Sequence, residues 1–202
     1  MRIGFIGAGV VAQTISKHVL PFGHRILLSN RRGPDSLASL VKELGTGAEA
    51  GTPQQAAEQD IVVLAVNWPS VQAALFSITD WKGRVLVDAT NRIAAYNPLT
   101  LGDTSGRTSS EIVADLAPGA RVVKGFNSVP MSWISDFSSS KPRTVLLISG
   151  DDDEAKKPLN DLIEQVGFSC VDLGSLAIGG RLQQLGGPLA GIKLALTEKF
   201  VL

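Results

Sequence analysis

The sequence is poor in several things, and each scarcity closes off a class of function. It holds one cysteine, Cys170, in 202 residues, so no internal disulfide can form and a cysteine-rich metal site is excluded. Its longest apolar runs, 61–66 and 145–148, fall far short of the roughly 20 residues a membrane-crossing helix needs. Neither sign of charge is in excess, since 19 Lys+Arg balance 19 Asp+Glu. No basic block is long enough to act as a nucleic-acid arm, and nucleic acid is not expected as a partner. Met1-Arg2 leads straight into strand-like residues 3–6 and a glycine, leaving no room for the apolar stretch and cleavage site of a signal peptide. The expectation is a globular, cytoplasmic protein that meets no membrane and holds no metal.

What remains is apolar and glycine-rich. Hydrophobic residues make up 44% of the chain and glycine occurs 21 times, enough for one well-buried core with many tight turns. Short β-branched runs alternate with helical patterns, the signature of a parallel sheet covered on both faces. Strands are expected at 2–6, 25–29, 48–50, 61–66, 85–88, 121–125, 145–148 and 168–173. Helices are expected at 10–20, 36–44, after Thr52-Pro53, at 68–76, from the Thr108/Glu111 capping box to about 116, and at 152–166. Residues 92–107 show no clear period and read as a long loop. The glycine-rich tail, 175–202, reads as helical in pieces. The fold expected is thus one Rossmann-type domain over 1–202: a doubly wound, mostly parallel sheet with a helical C-terminal tail.

The most informative segment is Gly7-Ala8-Gly9-Val10-Val11-Ala12, a G-x-G-x-x-A run between a strand and a helix. Gly7 allows the tight turn, Gly9 lets a diphosphate approach bare backbone, and Ala12 lets the helix sit close to the strand. The helix N-terminus then presents unpaired N–H groups and partial positive charge to the phosphates. In NAD-selective sites a carboxylate about 20 residues further on takes the ribose 2′-hydroxyl. Here the second strand ends in Ser29-Asn30-Arg31-Arg32, where hydroxyl, amide and guanidinium donors suit a 2′-phosphate instead. NADP(H) is the expected cofactor.

With these residues in place, nearly the whole chain resembles the small dinucleotide-binding enzymes typified by the NADP-dependent oxidoreductases of coenzyme F-420, a 5-deazaflavin. It is also similar to the cytosolic domain of the STEAP metalloreductases. The likeness extends through Val66-Asn67-Trp68, Asp88-Ala89-Thr90-Asn91, Gly125-Phe126-Asn127-Ser128-Val129-Pro130, the helix start at 149–154, and Gly180-Arg181-Leu182 with Gly186-Gly187-Pro188-Leu189. The resemblance implies that Val66, Asn67, Trp68, Asn91 and Asn127 approach the ribose and nicotinamide at the strand C-termini. It further implies hydride transfer to or from a flavin, a deazaflavin or another small acceptor.

Several residues keep two readings. Trp68 is either part of a stacking wall or a cap on the helix that follows, and Asn127 either bonds the carboxamide or is a turn residue. Asp151-Asp152-Asp153 fits an acidic helix start better than a cation site. His18 and His24 lie far from the strand ends, and no acid, base or nucleophile set is evident. Direct hydride transfer needs orientation more than a protein acid or base. A homodimer is expected, with the tail against the partner's site. The competing function is a non-catalytic NADP(H)-binding redox sensor or partner subunit.

Overall fold

Residues 1–135 and 142–198 are described by the structure, a computed structural model. In chain order the elements are β1 (Arg2–Ile6), α1 (Val10–Val19), β2 (Arg25–Ser29), α2 (Ala38–Leu44), β3 (Ala48–Ala50), α3 (Pro53–Ala57), β4 (Ile61–Leu64), α4 (Val71–Phe76), β5 (Val85–Asp88), β6 (Ile93–Tyr96), β7 (Leu99–Leu101), α5 (Ser109–Leu116), β8 (Arg121–Lys124), β9 (Arg143–Gly150), α6 (Asp153–Gln165), β10 (Ser169–Asp172), α7 (Gly179–Gln183) and β11 (Ala195–Leu196). The main sheet runs β10-β9-β8-β5-β4-β1-β2-β3, with β11 added beside β9. From β8 to β3 all pairings are parallel. β9 turns antiparallel to β8, and β10 then follows β9 in parallel.

Strand alternation decides which helix each residue meets. Ile3, Phe5, Ile61, Val63, Val85 and Val87 point to one face, where α1 and α6 bury Ala12, Ile15, Leu159 and Ile163. Ile6, Val62, Leu64 and Leu86 point to the other, against Ala56, Val71, Leu75 and Val113 of α3, α4 and α5. Successive side chains of a strand face opposite ways, so strands covered on both faces must be apolar throughout, as β4 and most of β5 are. Capping boxes at Thr52/Gln55 and Thr108/Glu111 start α3 and α5, the second at the position the sequence indicates.

One expectation needs correcting. The stretch expected as a plain loop at 92–107 contains the antiparallel hairpin β6–β7, with Tyr96 opposite Leu99. The Asn97-Pro98 dipeptide between two short apolar runs is the turn signal that marked it. The tail, expected to be helical in pieces, carries α7 at Gly179–Gln183 and then pairs β11 with β9. Gly186 and Gly191, both at positive φ, break the helical pattern, because glycine there favours turns. The tail's last residues, 199–202, lie outside the described residues. No helix among the described residues is long and apolar enough to cross a membrane.

Candidate functional site

The parallel geometry brings the C-terminal ends of β1, β2, β4, β5 and β8 to one edge, where ligands of open α/β sheets bind. The turn after β1 holds glycine at two positions with different surroundings. Gly7 has φ +109°, and a Cβ there would lie 2.2 Å from the Ala65 carbonyl oxygen, so both conformation and space demand glycine. At Gly9 nothing lies within 4 Å of the position a Cβ would take. Packing within the chain therefore does not explain Gly9, whereas a ligand resting on the backbone would.

Gly9 is also the N-cap of α1, with no side chain capping it and no acid in the first turn. The first-turn N–H groups and the helix dipole are left for an outside anion. Ala12 is fully buried against the core, whereas Val10 is 69% exposed, and Ala8 and Val11 are half-buried.

At the end of β2 the four predicted residues divide. Ser29 is fully buried and its hydroxyl donates to the Phe5 carbonyl at 2.8 Å, while its own carbonyl accepts from Gly7 N–H at 3.0 Å. Its side chain thus pins β2 to β1 and points away from the ligand side, unlike the outward donor expected from sequence. Asn30 shapes the loop: its Oδ1 accepts from the Arg32 N–H at 2.8 Å, and its Nδ2 donates to the Ser36 hydroxyl at 2.9 Å. Arg31 and Arg32 are exposed, and neither takes part in an ion pair among the described residues.

Beyond β4, Val66 packs beside Gly7 and on the second core cluster, and Asn67 is exposed. Trp68 opens a 3-10 turn (Trp68–Ser70), packs on that same cluster and sets its indole against Gly102 of the hairpin. The ring thus bridges that core cluster and the β6–β7 hairpin.

Asn91 and Asn127, after β5 and β8, meet directly. The Asn91 Nδ2 donates to the Asn127 carbonyl at 3.0 Å, and the Asn127 Nδ2 donates to the Asn91 Oδ1 at 3.3 Å. Asn127 is aimed there from Phe126, which holds φ +58°, an uncommon conformation for a bulky residue that clusters at functional sites. Its amide also makes a reciprocal pair with the tail: Nδ2 donates to the Gln183 carbonyl and Oδ1 accepts from Gln183 Nε2, both at 2.9 Å.

Sequence reasoning missed the group beneath these loops. Asp88 and Lys124 end β5 and β8, and their charged atoms are 3.1 Å apart with both side chains wholly buried. One Asp88 oxygen accepts from the Thr90 N–H and hydroxyl at 2.9 and 2.6 Å, and the other accepts from Ser110 at 2.5 Å. Lys124 Nζ donates to the Thr90 carbonyl and the Ser109 hydroxyl at 3.2 and 3.3 Å. Burial alone would raise the Asp88 pKa, but Lys124 and the hydroxyl and backbone donors outweigh it and hold the carboxyl below its ordinary value. The signal was a charged residue at the C-terminal end of each of two strand segments, 85–88 and 121–124. Gln184 was missed too; its Oε1 accepts from the Ser109 N–H at 3.0 Å and ties the tail to α5.

The remaining candidates take structural places. Asp152 caps α6, Asp153 pairs with Lys156, and Asp151 accepts from the Leu176 N–H. His24 meets Gln165, and His18 meets the Ile134 carbonyl beneath the edge of Phe168. Arg181 donates to the Gly106 carbonyl.

A strand-turn-helix with bare glycines and an uncapped helix N-terminus, at the carboxyl edge of a parallel sheet, defines a dinucleotide-binding α/β enzyme. Residues 2–92 match the family described as NADP oxidoreductase, coenzyme F420-dependent. The structure overlays a hypothetical protein from Sinorhizobium meliloti with a TM-score of 0.89 and 35% identity, covering 97% of this chain and 96% of that one. The family match thus lies in the N-terminal part of the chain, and the whole chain is related to the Sinorhizobium protein. A putative F420-dependent NADP-reductase from an Arthrobacter species shares the fold, with a TM-score of 0.76 and 24% identity over 87% of this chain and 86% of that one. In sequence the chain is 27% identical to the metalloreductase STEAP3 of Rattus norvegicus over 178 residues, 87% of this chain and 34% of that protein. The chain thus spans about a third of the length of that curated relative.

Proposed function

We propose that the chain binds NADP(H) along the carboxyl edge of its sheet and passes hydride between the nicotinamide and a small acceptor, a flavin or deazaflavin being the best-fitting class. The observation that carries this reading is the pairing of open space above Gly9 with an uncapped α1, while Arg31 and Arg32 stand without carboxylate partners among the described residues. An anion on the glycine turn and a second one on the arginines are what that arrangement accommodates.

In this reading the backbone of Gly7, Ala8, Gly9, Val10 and Val11 receives the diphosphate. Asn30 holds the loop that presents Arg31 and Arg32 to the 2′-phosphate, and Ser29 anchors it. Val66, Asn67, Trp68 and Asn91 line the nicotinamide half, and Asn127 fixes the loop beside it. The cofactor supplies the hydride when bound. The residues on this edge bind, orient and exclude water, which suits a site whose buried titratable pair, Asp88 and Lys124, is sealed from solvent. A homodimer belongs to the same reading, and light scattering at micromolar concentration should show twice the 21.3 kDa chain mass.

The test is a titration with NADPH and NADH, followed by NADPH oxidation against deazaflavin, FMN, FAD, ferric chelates and quinones. NADPH should bind at least about tenfold tighter than NADH, the measure of a charge-assisted pair, and Arg31→Ala should remove most of that preference. Equal affinities would sink the 2′-phosphate assignment. Tight NADPH binding with no turnover on any acceptor would favour a redox sensor instead.

A further inference from the structure

Arg92 stands one residue beyond Asn91, at the foot of the β6–β7 hairpin, and the cofactor reading gives it no task. Its Nη1 donates to the Gly102 carbonyl at 2.7 Å, and the Gly102 N–H donates back to the Arg92 carbonyl at 2.7 Å. Its Nε is buried and has no hydrogen-bond acceptor among the described residues. Its Nη2 lies 3.8 Å from where a Cβ of Gly186 would sit, and Leu101 lies 3.4 Å from the same point. No carboxylate pairs with Arg92 among the described residues.

A guanidinium has two edges that can take an oxyanion with two parallel hydrogen bonds. Here the edge containing Nη1 is committed to Gly102, which also fixes the plane of the group. The Nε–Nη2 edge is unspent, and its Nε–H is costly to keep buried unmet. Holding the hairpin to one carbonyl needs a single donor; it does not explain a positive charge with its fork left over. The space at Gly186 is bordered by both Nη2 and the Leu101 side chain, and the Trp68 indole lies against Gly102.

We infer that Arg92 is a specificity-determining residue that receives an oxyanion, phosphate or carboxylate, carried by the hydride acceptor. The inference rests on the proposed oxidoreductase reading and narrows its acceptor to a flat ring with an anionic tail. The Gly186 loop, which has no side chain there, is the part that gives way as the oxyanion reaches the Nε–Nη2 edge.

The experiment uses the full chain saturated with NADP+ and measures fluorescence quenching of FMN and of riboflavin, which share a ring system and differ in the phosphate. FMN should bind about tenfold tighter than riboflavin, and Arg92→Gln should bring the two within about twofold while riboflavin and NADPH affinities hold. Arg92→Lys keeps the charge and a donor for Gly102 but not the fork; it serves if Arg92→Gln unfolds, and should retain less than about a third of the preference. A wild-type chain indifferent to the phosphate, or an Arg92→Gln chain that keeps the preference, overturns the inference. So does an equal loss of NADPH affinity, which would assign the guanidinium to the cofactor. Failure of NADPH to bind the unaltered chain is read in the first titration and strikes the oxidoreductase reading itself.

Discussion

The two halves of the candidate site are built in opposite ways. At the glycine turn and the end of β2, binding potential resides in backbone and in unspent charge: open space above Gly9, an uncapped helix start, and Arg31 and Arg32 without ion pairs among the described residues. At the ends of β5 and β8 nearly every polar group is spent on another. Asn91, Asn127 and Gln183 bond among themselves, and Asp88, Lys124, Thr90 and Ser110 form a sealed network. In the proposed reading the first half is the receptor for the cofactor's anions. The second is a hydrogen-bonded frame that, in the same reading, gives the nicotinamide half a fixed shape, as orientation of two reactants requires.

The hardest way to break this contrast is to open the frame. Lys124→Met should leave the Asp88 carboxylate buried and unpaired, at a cost of about 3–5 kcal/mol, read by urea unfolding. A loss below about 1 kcal/mol would mean that the pair is no frame. The two glycines sharpen the contrast from the other side. Gly7→Ala forces a side chain onto the Ala65 carbonyl at φ +109° and should cost about 2–3 kcal/mol. Gly9→Ala meets open space, so stability should move by no more than about 0.5 kcal/mol while NADPH affinity falls about tenfold. Equal destabilisation by the two changes would remove the distinction between a turn glycine and a ligand glycine.

The smallest effect expected lies outside both halves. Burial lowers the pKa of His18 and outweighs the hydrogen bond to the Ile134 carbonyl, which raises it. The folded chain thus keeps the ring neutral where the unfolded chain would take a proton, near the ordinary value of 6.5. Stability should be full above that pH and decline as pH falls below it, and His18→Gln should flatten the slope. An unchanged slope in the variant would place the titration elsewhere.

The receptor half was readable because its signals are local. Gly7, Gly9 and Ala12 fall within six positions of one another, and the arginines follow the next strand directly, so spacing alone carried the chemistry. Ser29 is the exception: its residue type suggested a ligand donor, and only packing shows that its hydroxyl faces Phe5. The frame was opaque because its partners are far apart in the chain. Asp88 and Lys124 are separated by 36 residues, Asn127 and Gln183 by 56, and Ser109 and Gln184 by 75. No period or motif links such pairs; strand order does. The hairpin at 93–101 was hidden for a different reason, since its exposed strands carry little apolar alternation.

From the amino-acid order alone came the alternating α/β architecture, the phosphate turn and the arginines beyond β2, because each depends on residues close enough in sequence to share one turn or one strand. Tertiary structure alone decided that β9 reverses against β8, that the tail closes over its own loops through Gln183 and Gln184, and that a lysine and an aspartate share a dry interior. Those outcomes turn on which distant strand ends become neighbours, and folding settles that by burying all the apolar faces at once.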